Sequence, residues 1–426
     1  MEDVMFALVD GNNFFASCER VFNPYWNDRP ILVLSNNDGC VIARSNEVKK
    51  LGIKMGTPAF QILDEIQKYG IGVCSDNQNL YGDMSCRVMT LLSNFSPNIE
   101  VYSVDESFLD FSGFENIDLE KYARSMIRTV TKGTGIPVSA GVAKTKTLAK
   151  VANKFAKKYP GYGGVCIIDT DEKREKALKL TDIGDVWGIG SRFRGKLERH
   201  NVKTAYDFSL MPVAWVRKEM TVFGERVWKE LNGYSCLDLD QVAIRKKQIC
   251  TSRSFGVTIT DYSDMEEAVS TFAGMCAYKL RKQHSCAFSL MVFVGCANNS
   301  RQGSHTYINS VVKLLVPSSN TTEIVRYALL ALKNIYRRGV GYKKAGVIVM
   351  DLVSDDAIQQ NLFYTEDSAK LSRLMEVIDE LNKGQTKNLV SLAVQGTGVR
   401  RWKLKQERLS PCYTTQLSDV LTIECK

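Results

Sequence analysis

The chain has 426 residues, a formal net charge of +9 and 44% hydrophobic residues, which is ordinary globular composition and long enough for roughly three domains. No apolar run approaches the roughly 20 residues that span a bilayer and no signal peptide is evident, so we expect a cytoplasmic protein without a membrane partner. The 12 cysteines form no Cys-x-x-Cys pair, and only three histidines are present, which argues against a zinc site or a disulfide framework. The positive charge suits a polyanionic partner but is weak evidence alone.

The first predicted element is a short apolar run that ends in an acid. Residues 5–9 are too few for a buried helix and predict a central strand, with Asp10 at its end. Asn13, Phe14 and Phe15 follow and predict the start of a helix. Further along the chain, residues 31–34 and 138–142 are strand candidates, and residues 79–94, 118–131 and 145–157 predict helices.

A second acidic position lies about a hundred residues later. Asp105 and Glu106 interrupt a strongly apolar β pattern, which predicts a tight hairpin with acids at its tip. Together with Asp10, these carboxylates could hold two Mg²⁺ ions about 3.5 to 4 Å apart, the spacing for in-line displacement at phosphorus. A solvated surface stays open as the alternative, since acidic pairs also occur at 64–65, 171–172, 266–267, 355–356 and 379–380.

Four segments carry a family resemblance: residues 9–19 (VDGNNFFASCE), 35–44 (SNNDGCVIAR), 103–107 (SVDES) and 141–150 (GVAKTKTLAK). Together they resemble the Y-family translesion DNA polymerases, and more narrowly the UmuC type of bacterial polymerase. The resemblance covers nearly the whole chain in the expected order. It implies a cytoplasmic, nucleoid-associated bacterial protein of the DNA damage (SOS) response.

The expected architecture is multidomain, α/β and α+β, in the form of a right-hand polymerase. After a basic linker that contains Arg245, Lys246 and Lys247, the pattern reads strand, helix, strand, strand, helix, strand. By resemblance, the regions are a palm at 1–170 with a fingers insertion at about 20–78, a helical thumb with a helix-hairpin-helix turn at 171–235, a linker at 236–250, a little finger at 251–353, and a UmuC-type tail at 354–426.

The resemblance implies low-fidelity, template-directed DNA synthesis from dNTPs on primer-template DNA, with two Mg²⁺ ions as cofactors. Asp10 and Asp105 would bridge both ions, Glu106 would bind the primer-side ion, and the Gly11 carbonyl would complete the triphosphate-side shell. Many family members carry a second acid where this chain has Asn12, although UmuC-type members also lack it.

Nucleotide contacts are expected from two regions. Backbone N–H groups at Asn13, Phe14 and Phe15 could receive phosphate oxygens at the start of a helix. Phe15 occupies the family's steric-gate position, with a plain core aromatic as the alternative. Lys49 stands where related enzymes place an Arg on the triphosphate, and Lys157 matches the second triphosphate cation, unless it is simply solvated on a basic helix.

DNA contacts are expected outside the palm. Gly188 and Gly190 match a helix-hairpin-helix turn whose N–H groups grip phosphates, with a helix-capping turn as the alternative. Arg253 lies on the first predicted little-finger strand and could contact the DNA backbone, although an ordinary edge strand would look similar.

The tail carries two interaction motifs. Gln359, Leu362 and Phe363 match the peptide type that binds the sliding clamp. Residues 400–405 interleave basic residues with Trp402 and, by resemblance, would engage the processed UmuD dimer, a RecA filament or single-stranded DNA. An amphipathic strand is the alternative.

Two other functions fit parts of this pattern. A nucleotidyl cyclase can use the same palm and two metal ions, but it has no need of DNA-gripping domains. A noncatalytic DNA- or clamp-binding scaffold could keep the fold, but it would not need Asp10, Asp105 and Glu106.

Overall fold

The part of the chain that this computed structural model describes contains three β-sheets. One has five strands, one has four and one has three. The described residues are 4–114, 116–240, 245–297, 306–359, 368–384, 388–398 and 400–422. None of the helices within these ranges is long and apolar enough to cross a membrane.

The residues group into two units. The first comprises Met1–Ser35, Gly39–Ala243 and Arg408–Lys426, and the second comprises Asn36–Asp38 and Ile244–Glu407. The two large sheets therefore belong to different units, and each unit has its own core.

The first unit contains two sheets and ten α-helices within its described residues. The strands are β1 (Phe6–Gly11), β2 (Ile31–Leu34), β3 (Val41–Arg44), β4 (Gly72–Ser75), β5 (Ile99–Val101), β6 (Glu106–Asp110), β7 (Val138–Ala143) and β8 (Val165–Ile168). The helices are α1 (Phe14–Phe22), α2 (Asn46–Lys50), α3 (Leu63–Tyr69), α4 (Gln78–Leu92), α5 (Leu119–Thr134), α6 (Lys146–Lys158), α7 (Asp171–Lys179), α8 (Ser191–Arg199), α9 (Ala205–Ser209) and α10 (Val213–Leu231).

The five-stranded sheet has the order β5-β6-β1-β7-β8. Its neighbours are antiparallel except for β7 and β8, which run parallel. The small sheet has the order β3-β2-β4, and its side chains contribute to a separate apolar cluster. The predicted strands at 31–34 and 138–142 are confirmed as β2 and β7, and the three predicted helices are confirmed as α4, α5 and α6.

Strand β1 is buried on both faces, which explains its continuous apolar sequence. Phe6 and Leu8 pack in a cluster with α6, whereas Ala7 and Val9 pack in a separate cluster with α4 and α5. Because successive side chains of a strand point to opposite faces, Asp10 falls on the same face as Phe6 and Leu8. The alternation therefore aims Asp10 toward α6.

Helix α6 lies unusually close to β7. A Cβ at Gly141 would come within 2.1 Å of the Asn153 backbone nitrogen and 2.3 Å of the Ala149 carbonyl oxygen. The buried Asn153 amide donates to the carbonyl oxygens of Leu8 (3.2 Å) and Ser139 (2.8 Å), which ties the helix to two strands. The position of α6 relative to the sheet is thus fixed by backbone contact.

The second unit follows the predicted order strand, helix, strand, strand, helix, strand, and then adds a helix. The elements are β9 (Ile249–Ile259), α11 (Tyr262–Lys282), β10 (Ser285–Cys296), β11 (Tyr307–Ser318), α12 (Thr321–Ile335), β12 (Tyr342–Ser354) and α13 (Ser368–Asn382). The antiparallel sheet has the order β11-β10-β12-β9 and packs against α11 and α12. The mixed α/β and α+β fold class is therefore confirmed.

The structure divides the expected tail at 354–426 between the two units, because residues up to Glu407 group with the second and those from Arg408 with the first. In the second unit, Arg281 binds Asp379 of α13 through two hydrogen bonds of 2.7 Å. Specific side-chain contacts therefore hold this part of the tail against the domain that precedes it. Residues 241–244 of the expected linker lie outside the described residues.

The close contact at Gly141 gives a stability prediction. We expect Gly141→Ala to lower the free energy of unfolding by about 2–4 kcal/mol, because the new methyl group overlaps backbone atoms that cannot move independently. Thermal unfolding monitored by circular dichroism measures the change.

Gly82→Ala is the matched control. Position 82 lies on α4, and no atom of the described residues would come within 4 Å of a methyl group added there, so helix propensity should make this change neutral or stabilising. Equal melting temperatures for Gly141→Ala and the wild type would contradict the close packing of α6 on β7.

Candidate active site

Strand pairing brings the predicted acids together at one end of the five-stranded sheet. Asp10 of β1 pairs directly with Glu106 of β6, and directly opposed residues of an antiparallel pair project to the same face. The backbone N–H of Gly11 donates to the Asp105 carbonyl oxygen at 2.8 Å. The three acids are therefore neighbours in space, although 95 residues separate Asp10 from Asp105.

A serine orders the turn that carries Asp105. The Ser103 hydroxyl donates to Asp105 Oδ1 at 2.7 Å and accepts from the backbone N–H groups of Asp105 (3.3 Å) and Glu106 (3.1 Å). Asp105 ends the turn between β5 and β6, and Glu106 opens β6. The local hydrogen bonds thus fix the side chain of Asp105 and the backbone of Glu106.

Asp10 is paired with Lys157. The Lys157 ammonium lies 2.5 Å from Asp10 Oδ1, and the Asp10 side chain is only 17% exposed. Burial raises the pKa of Asp10 from 3.8 to about 6; Lys157 opposes this shift, while the charges of Glu106 and Asp105 add to it. One lysine therefore does not fully compensate the negative charge at this position.

Glu106 is held by Lys150, a residue whose role was not predicted from the sequence. The Lys150 ammonium donates to both carboxylate oxygens of Glu106, at 2.9 and 3.0 Å. It also lies over the rings of Tyr102 (4.5 Å to the centroid) and Trp187 (5.1 Å). The Trp187 indole N–H donates to the Tyr102 hydroxyl at 3.2 Å, and the two rings meet edge to face beside this ammonium.

Lys150 belongs to a row of lysines along α6 that all meet carboxylates. Spacings of three and four residues place side chains on one face of a helix, and this spacing is the signal that could have identified Lys150. Lys146 is the most buried of these lysines, with a side chain that is only 4% exposed. The pairs are Lys146–Glu100, Lys150–Glu106, Lys154–Asp185 and Lys157–Asp10.

The donor chemistry at the strand end fits a hard divalent cation. In the described part of the chain, no group of three or more His, Cys, Asp or Glu side chains is arranged to hold a metal ion, and the carboxylates of Asp10 and Glu106 face lysines instead. Three adjacent carboxylates repel one another, and Asp10 ionises with difficulty. Oxygen ligands and excess negative charge are what Mg²⁺ and similar ions require.

The expected nucleotide-binding residues Asn13 and Lys49 meet in space. Asn13 precedes α1 in a left-handed conformation (φ 52°). Its side chain accepts from the Lys49 ammonium at 2.5 Å and donates to Asn46 at 3.0 Å. Burial lowers the pKa of Lys49, and the charges of Arg44 and Lys157 act in the same direction. Lys49 and Lys157 therefore contribute to one positively charged region beside Asp10.

The two phenylalanines that open α1 differ in their surroundings. Phe14 is buried in the core at 4% exposure. Phe15 is only partly buried, and its ring stacks on that of Tyr81, with centroids 4.5 Å apart and planes 13° apart. One ring therefore anchors the helix in the core, and the other remains partly exposed.

The expected DNA-binding glycines lie in the turn before α8. Gly188 has a φ of +91°, and a Cβ there would also come within 2.9 Å of Val227. Gly190 is the N-cap residue of α8, and Val186 follows a short 3-10 helix at Ile183–Asp185. The turn therefore needs glycine at 188.

The remaining expected contacts lie in the second unit. Arg253 is on β9, an edge strand of the four-stranded sheet, where burial and the charge of Arg400 lower the pKa of its guanidinium. Gln359 follows β12 closely, whereas Leu362 and Phe363 lie outside the described residues.

The aromatic residue of the 400–405 segment is buried in the second unit. Trp402 cannot stack on a nucleotide base, because it is 1% exposed and packs edge-on against Phe272 with centroids 5.4 Å apart. Arg401 forms ion pairs with Asp261 (2.8 Å) and Asp264 (3.1 Å). Trp402 thus points inward and the arginines face carboxylates, but residues 400–405 form a turn and not the strand of the alternative.

Comparison with known protein families covers most of the chain. Residues 9–154 match the impB/mucB/samB family, and residues 246–362 match its C-terminal domain. Residues 372–423 match a domain of unknown function.

Individual relatives agree. The chain is 41% identical over 425 residues to the protein UmuC of Salmonella typhimurium, covering 99% of this chain and 100% of that protein. It is 26% identical to DNA polymerase IV 2 of Bacillus subtilis, covering 89% and 91% of the two chains.

Solved structures share the fold. A Y-family DNA polymerase chimera superposes with a TM-score of 0.64 at 20% identity, covering 82% of this chain and 99% of its own. With 41% identity to UmuC over nearly its full length, the chain belongs to the impB/mucB/samB family, the UmuC type of Y-family translesion DNA polymerases.

Proposed function

We propose that this chain is a template-directed, low-fidelity DNA polymerase that performs translesion synthesis in the DNA damage response. In this reaction the primer 3′-hydroxyl oxygen attacks the α-phosphorus of a dNTP, the bond to the β-phosphate oxygen breaks, and pyrophosphate leaves. The observation that carries the proposal is the pairing of Asp10 with Glu106, beside Asp105, at the end of the central strands of a UmuC-type chain.

Divalent metal ions are required, as in the family generally, and we propose two Mg²⁺ ions. The carboxylates of Asp10, Asp105 and Glu106 and the carbonyl oxygen of Gly11 would hold them. When bound, such ions lower the pKa of the attacking hydroxyl and neutralise charge on the triphosphate. The unfavourable ionisation of Asp10 supports this assignment, because a cation would stabilise the charged form.

Lysines complete the charge balance of the site. Lys49 and Lys157 would bind triphosphate oxygens, since both lie in the positively charged region next to Asp10. Lys150 would hold Glu106 in place through its two hydrogen bonds. The backbone N–H groups at Asn13, Phe14 and Phe15 would add further donors at the start of α1.

Phe15 would select the sugar of the incoming nucleotide. Its ring is partly exposed and is supported from one side by Tyr81, so it cannot retreat in that direction without displacing a buried residue. A 2′-hydroxyl would collide with such a ring, which gives deoxyribose selection by exclusion.

Primer-template DNA would be gripped without reading its sequence. The backbone around Gly188 and Gly190 and the side chain of Arg253 would contact phosphates, which fix register but not base identity. Strands β2, β3 and β4 are only four residues long. A small fingers region of this kind makes few contacts with the nascent base pair, which is consistent with low fidelity.

The tail would recruit partners. Gln359, Leu362 and Phe363 would bind the sliding clamp, since they follow the last strand of the second unit. The processed UmuD dimer and a RecA filament would bind elsewhere on the tail, by surfaces that exclude the buried Trp402.

Primer extension with dNTPs and Mg²⁺ tests the proposed function. We expect Asp105→Ala to reduce extension by at least about 100-fold, because a metal ligand is lost, while primer-template affinity measured by fluorescence anisotropy stays close to that of the wild type. Asp83→Ala, which removes a surface carboxylate paired with Arg87, is the control. Equal extension by Asp105→Ala and the wild type would refute the assignment of the site.

Asp10 gives a prediction for stability in the presence of a chelator. Its pKa is raised from 3.8 to about 6, so the folded protein binds this proton more tightly than the unfolded chain does. Tighter proton binding in the folded state stabilises the protein. This contribution to the free energy of unfolding is complete below pH 3.8 and is lost as the pH rises through about 6. At pH 7.5 we therefore expect Asp10→Asn to raise the free energy of unfolding by about 1–3 kcal/mol.

Thermal unfolding with and without Mg²⁺ measures both parts of this prediction. Mg²⁺ should raise the melting temperature of the wild type but have little effect on Asp10→Asn. Asp83→Asn, at a surface pair, should change stability by less than about 0.5 kcal/mol. A lower melting temperature for Asp10→Asn than for the wild type in chelator would show that burial does not dominate at this carboxyl.

Phe15 gives a prediction for sugar selection. We expect Phe15→Ala to reduce the ratio of kcat/KM for dNTP over rNTP by about 10- to 100-fold, because space opens for the 2′-hydroxyl. Single-nucleotide incorporation measures the ratio. Phe60→Ala, at a ring that is 71% exposed, is the control and should leave the ratio unchanged. If Phe15→Ala and the wild type have the same ratio, Phe15 is a core residue only.

A further inference from the structure

A short stretch of the tail belongs to the first unit and lies close to Phe15, the proposed steric gate. We call Arg408–Tyr413 the tail strap. Its first residue pairs with the end of β4: the Ser75 N–H donates to the Arg408 carbonyl at 2.9 Å, and the Arg408 N–H donates to the Ser75 hydroxyl at 3.0 Å. At its other end, the Tyr413 ring stacks on Phe22 of α1, with centroids 4.8 Å apart and planes 12° apart.

The middle of the tail strap is held by the residue that caps α4. Asn77 Oδ1 accepts from the Leu80 N–H at 3.2 Å, as an N-cap side chain does. Its amide nitrogen donates to the carbonyl of Ser410 (2.9 Å), to the Ser410 hydroxyl (3.0 Å) and to the carbonyl of Pro411 (3.3 Å). The strap and the start of α4 are therefore fixed by one side chain.

The Ser410 hydroxyl links the tail strap to a buried acid, Glu19. It donates to Glu19 Oε1 at 2.9 Å, and the Tyr81 hydroxyl donates to the same oxygen at 2.6 Å. Glu19 is 4% exposed, and burial raises its pKa. An oxygen in this setting needs its donors, because water cannot replace a lost partner easily.

Tyr81 connects this acid to the gate. It is fully buried, and its ring is the surface on which Phe15 stacks at 4.5 Å. Glu19 and Phe15 lie on the same helix, α1, while Tyr81 lies on α4. The hydrogen bond between Tyr81 and Glu19 therefore sets where one ring lies relative to the other.

We propose that the tail strap determines sugar specificity by holding Tyr81 behind Phe15, with Ser410 as the positioning residue. This inference rests on the proposed role of Phe15 as the steric gate. It gives part of the region that matches a domain of unknown function a definite task in nucleotide selection. Ser410 acts through Glu19 and Tyr81 and does not touch the nucleotide.

The loss of the Ser410 hydroxyl leaves the Glu19 carboxylate with Tyr81 and Cys74 as its side-chain hydrogen-bond partners. The carboxylate can then reorient toward other donors and take Tyr81 with it. Phe15 gains room to move when its support moves, and a sugar with a 2′-hydroxyl is then excluded less strictly.

The test is single-nucleotide incorporation with dNTP and with the matching rNTP. We expect Ser410→Ala to lower the ratio of their kcat/KM values by about three- to tenfold, the effect of one hydrogen bond. Ser410→Thr keeps the hydroxyl and should restore the ratio. Ser418→Ala, at an exposed serine of the same tail, is the matched control and should match the wild type.

A double-mutant cycle tests the route through Glu19. Tyr81→Phe removes the other donor to the same oxygen and should lower the ratio by a similar factor. The effects of Ser410→Ala and Tyr81→Phe should combine less than additively, because both act on Glu19.

Phe15→Ala, measured in the same assay, distinguishes a failure of the steric gate from a failure of the tail strap. A lower ratio for Phe15→Ala together with a wild-type ratio for Ser410→Ala would overturn the role of the strap and leave the gate intact. An unchanged ratio for Phe15→Ala would overturn the gate and the strap together. If Ser410→Ala lowers dNTP and rNTP incorporation equally, Ser410 has only a structural role. The same conclusion follows if Ser410→Thr does not restore the ratio of kcat/KM values.

Discussion

The grouping of negative charge at the ends of β1 and β6 is the constraint on which the rest of the site depends. Burial and the neighbouring acids both disfavour ionisation of Asp10, so the site needs positive charge from elsewhere. The protein supplies part of it through Lys150 and Lys157, which face Glu106 and Asp10. A site that is incompletely neutralised by its own side chains is suited to divalent cations and to the phosphates that such cations bind.

Close packing of α6 on the sheet makes this arrangement possible. Only a residue without a Cβ fits at position 141, where the helix backbone comes within contact distance, and Asn153 fastens the helix to two strands. The row of lysines along one face of α6 is thereby held at a fixed distance from the strand ends. The distance between α6 and the acids therefore depends on this packing contact. The separate apolar clusters on the two faces of β1 explain why the strand is apolar before Asp10.

The tail completes both units, although a family comparison describes most of it only as a domain of unknown function. In the second unit, Trp402 and Gln395 are buried against α11, and α13 is held by the ion pair between Arg281 and Asp379. In the first unit, the tail strap supplies a hydroxyl to Glu19. Hydrogen bonding of this kind fixes the position of buried groups more than it adds stability, because an unpaired buried acceptor is costly.

Local pattern in the sequence was enough to predict β1 with Asp10 at its end, the acidic interruption at Asp105 and Glu106, helices α4, α5 and α6, and the element order of the second unit. These features follow from residues close together in the chain, where the period of apolar side chains reports both the element and its buried face. The partners of the side chains were decided only by the tertiary structure. Lys150 meets Glu106 across 44 residues, and Ser410 meets Glu19 across 391. Trp402 sits in an alternating basic segment that suggested a binding surface, yet the fold buries it. Periodicity fixes the face on which a side chain lies, but packing in three dimensions determines what that face meets.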